Sequence, residues 1–203
     1  MIPSRSCAVG AAAAAAMILA PAPSIAQECP TAQTAKRGYV VERSDLQKTE
    51  VSRDGQGIVR TVMRYDGKTL LETTQFEGLF QLDRVDRGRR TKYEPGTGIE
   101  LKSLFPLKVG QQVKAKFISE MDGHYGRLYV ELEVKAAEEL SIGACKYQVL
   151  RIERSQSSGA VPPRFVYTEF YAPDLKLILA REYQKADGRR EMVKYDRIYS
   201  IKN

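Results

Sequence analysis

Along most of this chain apolar and polar residues alternate, so successive side chains fall on opposite faces of an extended strand. In IVRTVMRY (58–65) Val59, Thr61, Met63 and Tyr65 make one face, and Arg60 and Arg64 lie on the other. In LYVELEV (128–134) Leu128, Val130, Leu132 and Val134 oppose Tyr129, Glu131 and Glu133; Val113, Ala115, Phe117 and Met121 likewise alternate with Lys114 and Lys116. One apolar face and one wet face mark antiparallel strands. The same reasoning predicts strands at about 38–44, 47–53, 69–76, 78–85, 145–154, 164–171, 176–184 and 190–200. Asp54-Gly55, Asp66-Gly67, Asp122-Gly123 and Asp187-Gly188 punctuate the runs. Asp-Gly is a strong hairpin signal because a type I′ turn needs positive φ at both central residues.

The pattern predicts an all-β, mainly antiparallel protein, a meander of roughly eleven strands in one strongly curved sheet. Such a sheet forms a closed or incomplete β-barrel, hiding its apolar face and shortening its exposed edges. One or two short helical segments fit at 29–36 and 98–107. No repeat or long linker divides the chain, so residues 27–203 are expected to form a single β-barrel-like domain. The segment RGRRTKYEPGTG (87–98), dense in charge, Pro and Gly, reads as a mobile loop between two halves of one sheet.

One stretch breaks the alternation. TEFYAPDLKLILAREYQ (168–184) holds two apolar-rich runs joined at Ala172-Pro173-Asp174-Leu175, where Pro at the second position and the absence of Gly favour a type I turn. Phe165, Tyr167 and Tyr171 share one face and Val166 and Phe170 the other; Leu177, Leu179 and Tyr183 oppose Ile178 and Ala180. This predicts a part of the sheet covered on both sides, by a helix, a folded-over loop or a ligand.

The N-terminus changes the setting. Arg5, the low-polarity run at 7–20, and PAPSIA with Ser24 and Ala26 at small-residue positions form the three-part layout of a secretory signal peptide, 1–26, cleaved after Ala26. The run is too short and too rich in Ala for the roughly 20 strongly apolar residues of a bilayer-spanning helix. No later stretch is long or apolar enough to span, so a periplasmic or secreted protein is expected. A lipid anchor on Cys29 fits poorly, because Ala26-Gln27-Glu28 precede it.

Of three cysteines, Cys7 would leave with the leader, and Cys29 and Cys145 remain as an even pair in an oxidising compartment, which predicts a disulfide over two buried free thiols. Closing a loop of about 117 residues would stabilise the fold by about 4–5 kcal/mol on the chain-entropy model. The role is structural, since no Cys-x-x-Cys spacing supports redox or zinc chemistry. The formal charge of +7, less Arg5, is spread along the chain. Such a chain favours an anionic envelope component, whereas nucleic acid fits poorly, with no binding motif in an exported protein.

Few residues could carry chemistry. His124 is the single histidine and follows Asp122-Gly123 at a predicted hairpin tip, without the orienting partner or shelter that a catalytic base needs. No catalytic residue, cofactor or metal site is assigned: nucleotide, Walker, nucleophile-elbow and calcium-loop patterns are absent. Paired carboxylates stay open, because the fold sets their spacing. Two sets merit testing. Arg84, Arg87, Arg89, Arg90 and Lys92 form the densest cationic cluster, interrupted by Asp83 and Asp86, and suit an anion or a self-neutralised loop. Tyr167, Phe170, Tyr171, Tyr183, Tyr195 and Tyr199 could line a pocket or serve as plain core.

SLFPLKVGQ (103–111), IGACKYQVLRIE (142–153) and EFYAPDLKLILAREY (169–183) together resemble a class of exported bacterial β-rich proteins of uncharacterised function. In hairpin order that class is similar to the incomplete β-barrels of lipoprotein carriers, which hold acyl chains on a concave face. The two-faced late strands and the lack of catalytic parts point to a non-enzymatic envelope protein whose concave face binds an apolar or amphipathic component such as a lipid or lipoprotein, or packs against a partner. The alternatives are an exported hydrolase using carboxylates or His124, and an assembly factor that adds strands to a partner through a sheet edge.

Overall fold

The computed structural model describes residues 28–158 and 165–201. The leader pattern at 1–26 lies outside the described residues. The strands are β1 (Tyr39–Glu42), β2 (Gln47–Arg53), β3 (Ile58–Tyr65), β4 (Lys68–Phe76), β5 (Phe80–Asp86), β6 (Arg89–Pro95), β7 (Gln112–Met121), β8 (His124–Ile142), β9 (Cys145–Ser158), β10 (Phe165–Ala172), β11 (Leu177–Gln184), β12 (Arg190–Lys194) and β13 (Arg197–Ser200). All belong to one antiparallel sheet in the order β12-β11-β10-β9-β8-β7-β6-β5-β4-β3-β2-β1-β13. Two 3-10 turns, Thr34–Arg37 and Leu101–Leu104, are the helical segments among the described residues.

Two strands depart from the expectation. The charged segment at 87–98 is no mobile loop: Arg87-Gly88, both at positive φ, turn the chain between β5 and β6. Within β6 only Thr91 and Tyr93 are half-buried, so the inward signal is too thin to read against Arg89, Arg90 and Lys92. The run predicted at 190–200 is two strands on opposite edges of the sheet, joined by Tyr195 and Asp196. Tyr195 N–H donates to the Leu179 carbonyl on β11, and Asp196 N–H to the Glu42 carbonyl on β1. Two adjacent residues thus span the gap between the ends of the hydrogen-bonded ladder.

The turns show which signals carried. Asp66-Gly67 and Asp122-Gly123 are positive at both central residues, as are Glu77-Gly78 and Arg87-Gly88. At the first Asp-Gly, Asp54 instead accepts from the N–H groups of Gln56 and Ile58, and the left-handed residue is Gly57. The 172–176 turn is longer than expected. Leu175 N–H donates to Ala172 O and Lys176 N–H to Pro173 O, with Lys176 at φ 53°, so β11 begins one residue later than predicted.

The core explains the two-faced hairpin. One buried cluster joins Tyr39, Val41, Val51, Val59 and Ile198 of the first and last strands to Ile142, Tyr147, Val149, Phe170, Ala172, Leu177 and Leu179. The other joins Phe80, Val113, Phe117, Val130, Leu132 and Ile152 to Tyr171 and Ile178. The tip half of the β10–β11 hairpin therefore has one face in each cluster. What covers it is the curled sheet together with Ala35 of the first 3-10 turn and Leu101 and Leu107 of the folded-over 99–107 connector.

Polar bonds lock that tip. Tyr39 OH donates to Leu175 O at 2.8 Å, Tyr171 OH to Glu77 O at 2.8 Å, and Lys176 pairs with Glu77 at 2.7 Å. Gly78 touches the tip backbone: a Cβ there would sit 1.8 Å from Lys176 O. Cys29 and Cys145 form a disulfide with Cα atoms 5.7 Å apart. Because Ser200 N–H donates to Glu28 O, the bond ties the β13 edge to the start of β9 on the opposite arm of the sheet.

Candidate functional site

Registers show which residues face inward. Thr49 lies opposite Met63, Thr61 opposite Thr73, and Thr73 opposite Arg84; on the other arm Val130 pairs with Gln156, Arg154 with Tyr167, and Tyr167 with Tyr183. All of these line one hollow of about 590 Å³, so both arms of the sheet wrap around the same space. Its size lies within the range of about 300–1,000 Å³ usual for small-molecule pockets. Apolar walls come from Met63, Leu71, Phe117, Leu128 and Val130, polar ones from threonines, glutamines and tyrosines.

The hollow holds three cations, Arg84, Arg154 and Arg181, against one carboxylate, Glu169. Glu169 is fully buried and accepts from Arg154 Nη1 at 3.0 Å and from Arg181 Nε at 3.0 Å. Strand register produces this triad: Arg181 is directly across from Glu169, and Arg154 diagonally across on β9. Arg154 Nη1 also donates to Leu79 O at 3.0 Å, and its guanidinium stands 6.0 Å over the Phe80 ring. Burial opposes the charge of Arg181, but Glu169 and the nearby Tyr167 and Tyr183 hydroxyls outweigh it and hold the guanidinium above its ordinary value. Arg154 Nε and Gln81 Nε2 are buried without a hydrogen-bond partner among the described residues.

The structure divides the aromatic set. Tyr167, Tyr183 and Tyr195 line the hollow, with Tyr167 and Tyr183 rings 5.7 Å apart. Phe170 and Tyr171 sit in the core, and Tyr199 donates to Glu42 Oε1 at 2.6 Å at the sheet edge. The cationic set is also dispersed. Only Arg84 lines the hollow; Arg90 forks onto Asp83, Arg84 pairs with Asp86, Arg89 reaches Asp122 at 3.6 Å, Arg87 occupies the turn, and Lys92 lies opposite Asp83 and Glu120. Sequence reasoning missed Arg154, Glu169 and Arg181, which sit in different strands and meet only through register. His124 is exposed at the start of β8, opposite Met121. Among the described residues no group of three or more His, Cys, Asp or Glu could hold a metal ion, and no helix is long and apolar enough to cross a membrane.

Burial pushes the Tyr147 phenol up to about 12, and burial together with the bond to Glu42 does the same for Tyr199. The unfolded value is about 10, so above it the unfolded chain loses protons that the fold retains. The stabilisation is complete below about pH 10 and is lost as pH rises toward 12. Unfolding midpoints measured across this window should fall, with phenolate absorbance rising abruptly at unfolding; a flat midpoint would contradict the assignment.

No family model matches the chain, and no curated protein matches it. Solved structures similar to it include two at low identity. One is the hypothetical lipoprotein YmcC from Escherichia coli, 11% identical, with a TM-score of 0.47, covering 77% of this chain and 86% of the other. The second is an exported-protein candidate with a YmcC-like fold from Bacteroides fragilis, 11% identical, with a TM-score of 0.41, covering 81% and 96%.

Proposed function

We propose that the protein is a non-enzymatic binding protein of the cell envelope, holding an amphipathic envelope molecule, a lipid or a lipidated component, inside its curved sheet. The observation that carries this reading is the hollow of about 590 Å³, lined on both arms by apolar and hydrogen-bonding side chains. The export-type leader pattern and the Cys29–Cys145 pair support an envelope setting. The lipoprotein-carrier likeness in hairpin order belongs to the same proposal. Among the described residues Glu169 is the one carboxylate in the hollow, and both its oxygens are held by guanidinium groups. Glycoside hydrolysis needs two carboxylates flanking the scissile bond, so the site favours binding over hydrolysis.

Native mass spectrometry of the protein purified from the envelope, followed by organic extraction, tests the reading. A co-purifying amphipathic molecule, lost when Val130 is replaced by Glu, is the expected result. An unliganded mass after exposure to total envelope lipid would overturn it.

A further inference from the structure

A second, smaller hollow of about 180 Å³ adjoins the large one, sharing Met63, Ile178, Arg181, Tyr183 and Tyr195 with it. It lies at the seam where Tyr195 carries the chain between the two ends of the sheet, between Gln47 and Met63 on one arm and Lys194 on the other. Among the described residues three cations line it, Arg43, Arg181 and Lys194, and no carboxylate does. Arg181 is bonded only through Nε, to Glu169, so its two terminal amino groups have no hydrogen-bond partner among the described residues. The anchored Nε and the Tyr167 ring, 5.9 Å from the guanidinium carbon, hold the group in place. Although encircled by protein, its side chain is 42% accessible. Arg43 gives Nη2 to Asp45 at 2.7 Å and keeps its other donors, while Lys194 has no ion-pair partner among the described residues.

We infer that the small hollow receives the anionic group, a phosphate or carboxylate, of an amphipathic ligand whose apolar part lies in the large hollow. This rests on the binding reading above and adds the charge and placement of the ligand's head. An uncommitted guanidinium edge, pre-oriented by a buried carboxylate, suits two-point recognition of a tetrahedral or planar oxyanion. A second guanidinium and an ammonium supply the remaining donors. Met63 and Ile178, on the shared wall, carry an apolar surface from the small hollow into the large one.

The test compares three probes below their micelle concentrations by titration calorimetry: dodecyl phosphate, tetraethylene glycol monododecyl ether with the same tail and no charge, and inorganic phosphate. Dodecyl phosphate should bind at least about tenfold tighter than either of the others, a difference worth about 1.4 kcal/mol. The Arg43→Gln/Lys194→Gln double variant leaves the Glu169 triad intact. It should bring dodecyl phosphate to within about twofold of the uncharged ether while ether binding is unchanged. Equal binding of the two amphipaths overturns the anion site and leaves the binding reading standing. Inorganic phosphate binding as tightly as dodecyl phosphate shows a free-anion site and overturns the amphipathic ligand. No binding of any probe overturns both. An Arg181→Lys variant, which keeps the charge and loses the fork, should lose most of the preference with its unfolding midpoint tracked alongside; full retention would rule out two-point recognition.

Discussion

Glu169→Ala should destabilise the protein by about 3–5 kcal/mol, the range for removing one member of a buried ion pair. Glu169 is fully buried and Arg154 is 6% exposed, so deletion leaves two guanidinium groups facing each other without an anion, one of them far from water. Arg181, more accessible, can relax toward the hollow; Arg154 is held by Leu79 O and by the stacked Phe80 ring and has nowhere to go. Denaturant unfolding reads the effect as a lower midpoint at unchanged slope. Glu169→Gln keeps an acceptor oxygen and should fall between wild type and alanine. Replacing all three residues with apolar ones of similar volume should recover much of the loss, because the desolvation cost of the charges disappears with them. A Glu169→Ala variant as stable as wild type would show that the triad is solvated in solution.

Removing the Cys29–Cys145 bond should cost about 4–5 kcal/mol on the chain-entropy model, through a loop that closes residues 116 apart in sequence. The loss should also be local. The bond sits where the last strand meets the opposite arm of the sheet, so a Cys29→Ser/Cys145→Ser variant should show amide exchange rising first in β1, β13 and the start of β9. Uniform loss of protection would mean that the bond acts on the unfolded chain alone.

Strand existence was legible wherever one face met the core, as in Val113, Ala115 and Phe117, or Val130, Leu132 and Val134, all buried as the alternation required. The tip half of the hairpin at 168–184 was legible as covered on both faces, because Phe170 and Tyr171 are adjacent and both apolar-bodied. Its cover was not, since that depends on how far the sheet curls. β6 escaped because two half-buried residues among charges leave almost no period. The seam escaped because nothing in MVKYDRIYS (192–200) marks a change of sheet edge: Tyr195 reads as one more strand aromatic. The candidate site was legible in half of its aromatics and one of its cations. Arg154, Glu169 and Arg181 look like ordinary solvated strand charges until register brings them together, which no local pattern encodes.

The crossing at Tyr195 and Asp196 makes the pairing of β1 depend on β13, the strand furthest from it in sequence. β1 can pair with β2 as soon as both exist, but its other edge stays unpaired until β13 arrives: Tyr39 meets Ser200, and Val41 meets Ile198. For a chain that emerges from the N-terminus first, β1 keeps that free edge until residues 197–200 have been made. The most sequence-distant pairing in the molecule is also the one that completes it, the contact that theory expects to form last. Until then β1 presents an edge that a foreign strand could pair with, and β13 protects that edge by occupying it.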